Sequence, residues 1–186
     1  MTERTAPTLD DVARAAGVSG LPTLYVGVER FEGLTDAGLA QPGAGTVADV
    51  TTCPGAESCN LAVTASRQVG AAIAERIEGD PSLARALELA RAATIKVSGC
   101  PNSCGQHHVA DLGFHGAARR AGDRTAPVYQ LHLGGGFDAQ GARFGRQVIK
   151  IPARRVAESV ARLLTLYAQS RQGSETASAF FARVEA

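Results

Sequence analysis

The spacing of apolar residues along the chain changes period several times, and each change predicts an element. Leu61, Val63, Val69, Ala72, Ile73 and Ile77 recur with mostly helical spacing, so a helix is expected within 58–77. Gly79, Asp80 and Pro81 stop it before a second helix over 82–92. Alternation over 46–51 and the run Thr94-Ile95-Lys96-Val97 predict strands that lead toward Cys53 and Cys100. Further strands are expected at 108–115, 127–133 and 146–151. Val156, Val160, Leu163, Leu164 and Tyr167 then form one apolar stripe, the mark of an amphipathic helix packed on a sheet, and Phe180 and Phe181 anchor a last short helix over 174–184. Near the start, 9–16 reads as a short helix and 21–28 as a strand. The turn-rich stretch Gln41-Pro42-Gly43-Ala44-Gly45 sets a boundary near 43, leaving 1–43 as a short, incomplete unit and 44–186 as the main domain. The order of elements after the boundary predicts an α+β (α/β-like) fold, a mixed sheet of about five strands with helices packed on it.

Composition narrows the function classes. Of 186 residues, 45% are hydrophobic and 20% charged, with a formal net charge of +1. This is the profile of a globular chain without a broad electrostatic footprint for nucleic acid or membrane. Glu3, Asp10 and Asp11 interrupt the N-terminal region where an export signal needs an apolar run, so a cytoplasmic location is expected.

In that setting the cysteines change the picture. All four, Cys53, Cys59, Cys100 and Cys104, fall in two close pairs separated by a long segment. A reducing compartment argues against two disulfides and toward a shared metal or cluster. Thiolate is a soft ligand that suits zinc, cuprous copper or iron–sulfur clusters. The spacing Cys100-x3-Cys104 fits a structural zinc site, but Cys53-x5-Cys59 is wider than zinc pairs usually are. A cubane, with iron at separate corners, accepts the wider spacing. A cluster, zinc and unligated or disulfide-bonded cysteines all stay open on spacing alone. Pro54-Gly55 and Pro101-Asn102 open tight turns whose backbone amides could point at cluster sulfides.

The blocks Thr52-Cys53-Pro54-Gly55-Ala56-Glu57-Ser58-Cys59-Asn60-Leu61-Ala62 and Ser98-Gly99-Cys100-Pro101-Asn102-Ser103-Cys104-Gly105-Gln106-His107-His108-Val109-Ala110-Asp111-Leu112-Gly113-Phe114 resemble the C-terminal cluster domain of the assimilatory nitrite and sulfite reductases. The resemblance continues through Leu131-His132-Leu133-Gly134-Gly135-Gly136-Phe137 and Ala142-Arg143-Phe144-Gly145, and covers roughly residues 33–184. It implies that Cys53, Cys59, Cys100 and Cys104 ligate one 4Fe-4S cluster, that Asn102 belongs to the cofactor-binding residues, and that Cys104 is shared with the iron of a sirohaem. It also implies electrons from ferredoxin or a flavin reductase, and six-electron reduction of nitrite to ammonium or sulfite to sulfide. Members of that family are built from two related halves. The chain is too short for both, so 1–43 reads as a truncated ferredoxin-like half-domain, and a complementing subunit or homo-oligomer is expected. Related corrin-pathway enzymes share the double cysteine pattern, but the run "CPNSCGQHHVADLGF" favours the reductases.

A second function class stays beside the reductase, a small 4Fe-4S protein that passes electrons without catalysis. Arg67, Arg119, Arg120, Arg143, Arg146 and Lys150 are the basic residues available to a polycarboxylate cofactor, most of them better read as solvated charges. Gly134-Gly135-Gly136 lacks any phosphate-loop fingerprint, so close backbone approach explains it better. His107 and His108 are expected to start a strand and point to opposite faces, so each reads as a structural histidine with at most one facing the site. Leu61, Val97 and Leu112 are expected to exclude water from the site.

Overall fold

The computed structural model describes residues 44–139 and 141–184, which fall within the compact unit Gly43–Ala186. The helix expected at 9–16 and the strand at 21–28 lie outside the described residues. In chain order the elements are β1 (Thr51–Thr52), α1 (Ser66–Glu78), α2 (Ala84–Leu89), β2 (Ile95–Ser98), β3 (Leu112–Ala121), β4 (Arg124–Leu133), β5 (Gly136–Asp138), β6 (Gly141–Arg143), β7 (Arg146–Pro152), α3 (Val156–Ser170) and α4 (Ala177–Arg183). One mixed sheet has the order β1-β2-β3-β4-β7, parallel from β1 to β3 and antiparallel from β3 to β7. β5 and β6 form a separate two-stranded ribbon. The predicted five-stranded mixed sheet with helices is therefore the observed fold.

The alternation of side chains along the strands gives the sheet two unlike faces. Ile95 and Val97 of β2, Leu112 and Phe114 of β3, and Tyr129, Leu131 and Leu133 of β4 are buried in the same core as Ile73 and Ile77 of α1 and Val156, Val160 and Leu164 of α3. Tyr167, Phe180 and Phe181 close that core with ring centroids 5.3–6.1 Å apart, so α4 is held by the two aromatics expected to anchor it. The opposite phase reads Lys96 and Ser98 on β2, Gly113 and His115 on β3, and Gln130 and His132 on β4, where His132 pairs with Gly113. Over this polar face the chain from Gly99 to Ala110 folds back. Its course is fixed by Gly105 N–H donating to Ser98 Oγ at 3.1 Å and by Gly134 and Gly135 N–H donating to Asp111 and Ala110 carbonyls, both at 2.9 Å.

Three sequence expectations are corrected. The alternating stretch 46–51 is a strand only at Thr51–Thr52, because Asp49 N–H bonds back to Thr46 O at 2.9 Å and the Asp49 carboxylate accepts from Gly45 N–H at 2.9 Å, closing a turn. The helix expected from 58 begins at Ser66. Val63 and Thr64 instead donate to Gly99 O at 2.8 and 3.1 Å, which ties that segment to the second cysteine loop. The strand expected at 108–115 begins at Leu112, since His107–Val109 form a 3-10 turn. The triple glycine does serve close approach. A Cβ on Gly135 would lie 2.3 Å from His108 O, and the backbone there fits only without one. Among the described residues no helix is long and apolar enough to cross a membrane.

Candidate metal centre

The two cysteine pairs leave neighbouring parallel strands at the same end. Thr52 is in register with Val97, so Cys53 follows β1 beside the point where Ser98 and Gly99 carry β2 into Cys100. The first residues past the C-terminal ends of parallel strands are loops on a rigid support, the usual place for a site. Contacts between the loops are close. Gly99 N–H donates to Cys53 Sγ at 3.1 Å, Cys53 N–H donates to Val97 O at 3.1 Å, and a Cβ on Gly99 would lie 2.8 Å from Thr64 O and 3.1 Å from Gly55 Cα. Glycine at 99 is thus what lets the loop of the first pair lie against the loop of the second.

All four thiols are free. Cys53 and Cys100 are buried, Cys59 is half-buried and Cys104 is exposed. Burial pushes the Cys53 thiol up, but the Ser66 hydroxyl at 3.3 Å and the backbone N–H groups of Gly99 and Gly55 outweigh it, and the thiol lies below its ordinary value despite Glu57. A sulfur that already receives backbone hydrogen bonds is suited to hold charge as a metal ligand. The second loop is tightly wound. Ser103 and Gln106 have φ of 62° and 57°, a left-handed conformation uncommon outside glycine, and Gln106 N–H donates to Ser103 O at 2.7 Å. Asn102 is exposed in the turn between Cys100 and Cys104. Soft thiol donors from two touching loops, with amides aimed at sulfur, fit a thiolate-held group.

Two of the basic residues singled out in the sequence are engaged with the C-terminal segment. Arg143 donates to Gly134 O at 2.8 Å and to Ser178 Oγ at 3.1 Å, bracing the glycine turn against the C-terminal segment, and Arg146 of β7 donates to Val184 O of the same segment. Arg119 and Arg120 are exposed near the β3–β4 turn. Leu61, expected to shield the site, is 72% exposed, whereas Val97 and Leu112 are buried in the helix-covered core.

The histidines are the larger correction. The chain has four, and all four converge on the polar face of the sheet. His107 and His108 lie in a 3-10 turn rather than a strand, so their rings do not alternate and their centroids are 4.1 Å apart. His107 is 4.8 Å from His132 and 4.9 Å from His115, and His115 Nδ1 lies 2.8 Å from His132 Nε2. Burial, with the neighbouring rings, pushes His107 down to about 3; burial and His115 push His132 down to about 4 against a weaker pull from the Gly145 backbone. Both rings are neutral at neutral pH. A sequence signal existed: His115 and His132 share the polar phase of their strands, opposite to Phe114 and Leu131.

A family model described as the nitrite and sulphite reductase 4Fe-4S domain matches residues 43–183. Ferredoxin–nitrite reductase of Synechococcus elongatus is 39% identical over 90 residues, covering 47% of this chain and 16% of that protein. Sulfite reductase (ferredoxin) 1 of Mycolicibacterium paratuberculosis is 29% identical over 160 residues, covering 84% of this chain and 28% of that protein. The solved structure of Mycobacterium tuberculosis NirA protein is similar with a TM-score of 0.68 at 25% identity, covering 84% of this chain and 29% of that one. The chain thus spans less than a third of the length of these relatives.

Proposed function

Because the chain belongs to the nitrite and sulphite reductase 4Fe-4S domain family, we propose that it is the cluster-bearing part of an oxidoreductase that reduces nitrite or sulfite at a sirohaem. The observation that carries the reading is the emergence of both cysteine pairs at one end of two paired parallel strands, in loops that touch through Gly99 and Gly55. Cys53, Cys59, Cys100 and Cys104 ligate the cluster, Asn102 lines the cofactor from the second turn, and Cys104 is the thiolate shared with the sirohaem iron. The exposure of Cys104 beside the burial of Cys53 and Cys100 supports that division, since a shared sulfur must be reachable from outside the loops. When bound, the two centres supply single-electron transfer and the six-electron reduction to ammonium or sulfide.

The chain's own residues hold and shield. Gly99 N–H and Ser66 stabilise charge on Cys53 Sγ, the core beneath β2 keeps the strand ends fixed, and the left-handed residues Ser103 and Gln106 shape the loop that presents Cys104. Residues 44–186 form the domain that binds the cluster. Electrons come from ferredoxin or a flavin reductase, and a complementing half or a second copy supplies the cations that grip the substrate. The four free thiols suit a reducing compartment such as the cytoplasm. A second reading is an electron-transfer protein without catalysis, in which the cysteine loops hold the cluster alone.

Anaerobic reconstitution tests both readings. The expected product is brown, with about four iron and four sulfide per chain, and binds added sirohaem with altered chlorin bands. Cys53→Ser impairs cluster assembly, whereas Cys104→Ser also abolishes the electronic coupling between cluster and haem. A cluster without any sirohaem binding leaves the electron-transfer reading. A colourless protein with one zinc held by sulfur refutes both.

A further inference from the structure

We propose that His107, His108 and His132 form a second metal site, a tri-histidine site for a late first-row divalent cation such as zinc. The ligand atoms of these three residues all lie within 4.8 Å of one another. Around a tetrahedral ion with metal–nitrogen bonds of about 2.0–2.1 Å, ligating nitrogens are about 3.4 Å apart and ring centroids about 5 Å. The observed centroid separations are 4.1, 4.8 and 5.3 Å. Closing the nitrogens from within 4.8 Å to about 3.4 Å requires the rings to turn, and His108, half-buried and stacked on the exposed Phe144, is the ring of the three that is not fully buried.

The hydrogen bonds at the two buried rings point the same way. His107 is fully buried; its Nδ1 bonds Ser98 Oγ at 2.9 Å, while its Nε2 has no partner. His132 is 1% exposed; its Nε2 bonds His115 Nδ1 at 2.8 Å, while its Nδ1, which feels only the weak pull of the Gly145 backbone, completes no hydrogen bond. Each ring thus has one nitrogen fixed by a neighbour and the other idle in a place where an unsatisfied polar atom is costly. A metal-ligating histidine shows this arrangement, with one N–H donated to an outer partner and the opposite lone pair on the ion. With protons on His107 Nδ1 and His132 Nε2, Ser98 and His115 are those outer partners, and the lone pairs of His107 Nε2 and His132 Nδ1 are free. His108 supplies the third nitrogen from the solvent side, and the fourth position is left to water. Imidazole donors suit zinc, nickel, copper or cobalt rather than magnesium or calcium. The site uses no cysteine, so it stands independently of the proposed cluster.

The test is zinc binding by the full chain, before and after cluster reconstitution, against His108→Ala. His108 is the half-buried middle residue of the 3-10 turn and is not a core residue, so its truncation leaves the core intact, which thermal melting checks. Wild type is expected to bind one more equivalent of zinc than His108→Ala, and X-ray absorption should show that equivalent in a shell of nitrogen and oxygen. In cobalt-loaded protein the same equivalent gives visible bands without thiolate-to-cobalt charge transfer. His115→Ala should weaken binding about 10–100-fold by removing the partner of His132. Equal zinc stoichiometry in wild type and His108→Ala, or zinc held wholly by sulfur, overturns the proposal. Failure of the cluster shows separately as missing iron and sulfide, and leaves the difference between the two proteins unmoved.

Discussion

Replacing Ser98 by alanine should unlatch the second cysteine loop from the sheet. Ser98 is 1% exposed, and its hydroxyl oxygen is joined both to the Gly105 N–H at 3.1 Å and to His107 Nδ1 at 2.9 Å. Gly105 and His107 are buried, so neither finds water when the hydroxyl is removed. Leaving a buried donor or acceptor unsatisfied costs about 1–3 kcal/mol each, which puts the loss for the two groups at roughly 2–6 kcal/mol. That is a large part of the roughly 5–15 kcal/mol typical of a domain, and lowers the melting temperature by about 6–18 °C at about 3 °C per kcal/mol. Urea unfolding of the metal-free protein measures the total. Amide hydrogen exchange measures its location: Gly105 should lose protection while the β4–β7 ladder keeps its own. Gly105 exchange as slow as in wild type, or a stability change below about 0.5 kcal/mol, would refute the role given to this hydroxyl.

Gly99→Ala brings a Cβ to 2.8 Å from Thr64 O and 3.0 Å from Ala62 Cβ, so the first cysteine loop must move away. The cost is about 1–3 kcal/mol in urea, and iron retained after reconstitution should fall even at a temperature where the variant is fully folded. Asp111→Ala removes the acceptor of Thr94 N–H and Thr94 Oγ1, at 2.7 and 2.8 Å, and should cost about 2 kcal/mol in the same assay. Arg76 bridges Asp80 and Glu158; the Ser82 hydroxyl and Arg76 hold Asp80 below its usual range, and Arg162 and Arg76 do the same for Glu158. Carboxylates depressed in the folded state add stability above their unfolded values near pH 4, which is lost as pH falls through the lower folded values. The gap in melting temperature between wild type and Arg76→Ala should therefore be present at pH 7, close in acid and shrink in high salt.

Elements with one clear period were legible in the sequence. The stripe from Val156 to Tyr167, the aromatic anchors Phe180 and Phe181, and the stop at Gly79-Asp80-Pro81 all act through local spacing, and the structure has each in place. The misread segments are those whose backbone answers to a distant partner. Residues 58–65 have the spacing of a helix, but Val63 and Thr64 donate to Gly99 O, some 35 residues on, and no local pattern reports that bond. His107 and His108 were misplaced for the same reason, since a turn held by Ser98 and by the Gly134-Gly135 amides replaced the strand start.

The features of the polar face depend on one another. Gly113 has no side chain because a Cβ would lie on the His107 carbonyl, and only that vacancy lets the turn carrying His107 and His108 lie on β3. Ser98 of β2 fixes that turn through His107 and Gly105, and Gly105 follows Cys104 directly. One strand residue thus holds both the buried imidazole and the backbone of the residue that follows the exposed thiol. A displacement of the His107 ring, as on metal binding, would reach the Cys104 loop through the two hydrogen bonds at Ser98 Oγ. The coupling is reciprocal, so in a chain loaded with both metals, releasing the histidine ion should alter the spectrum of the thiolate centre, and Ser98→Ala should abolish that response.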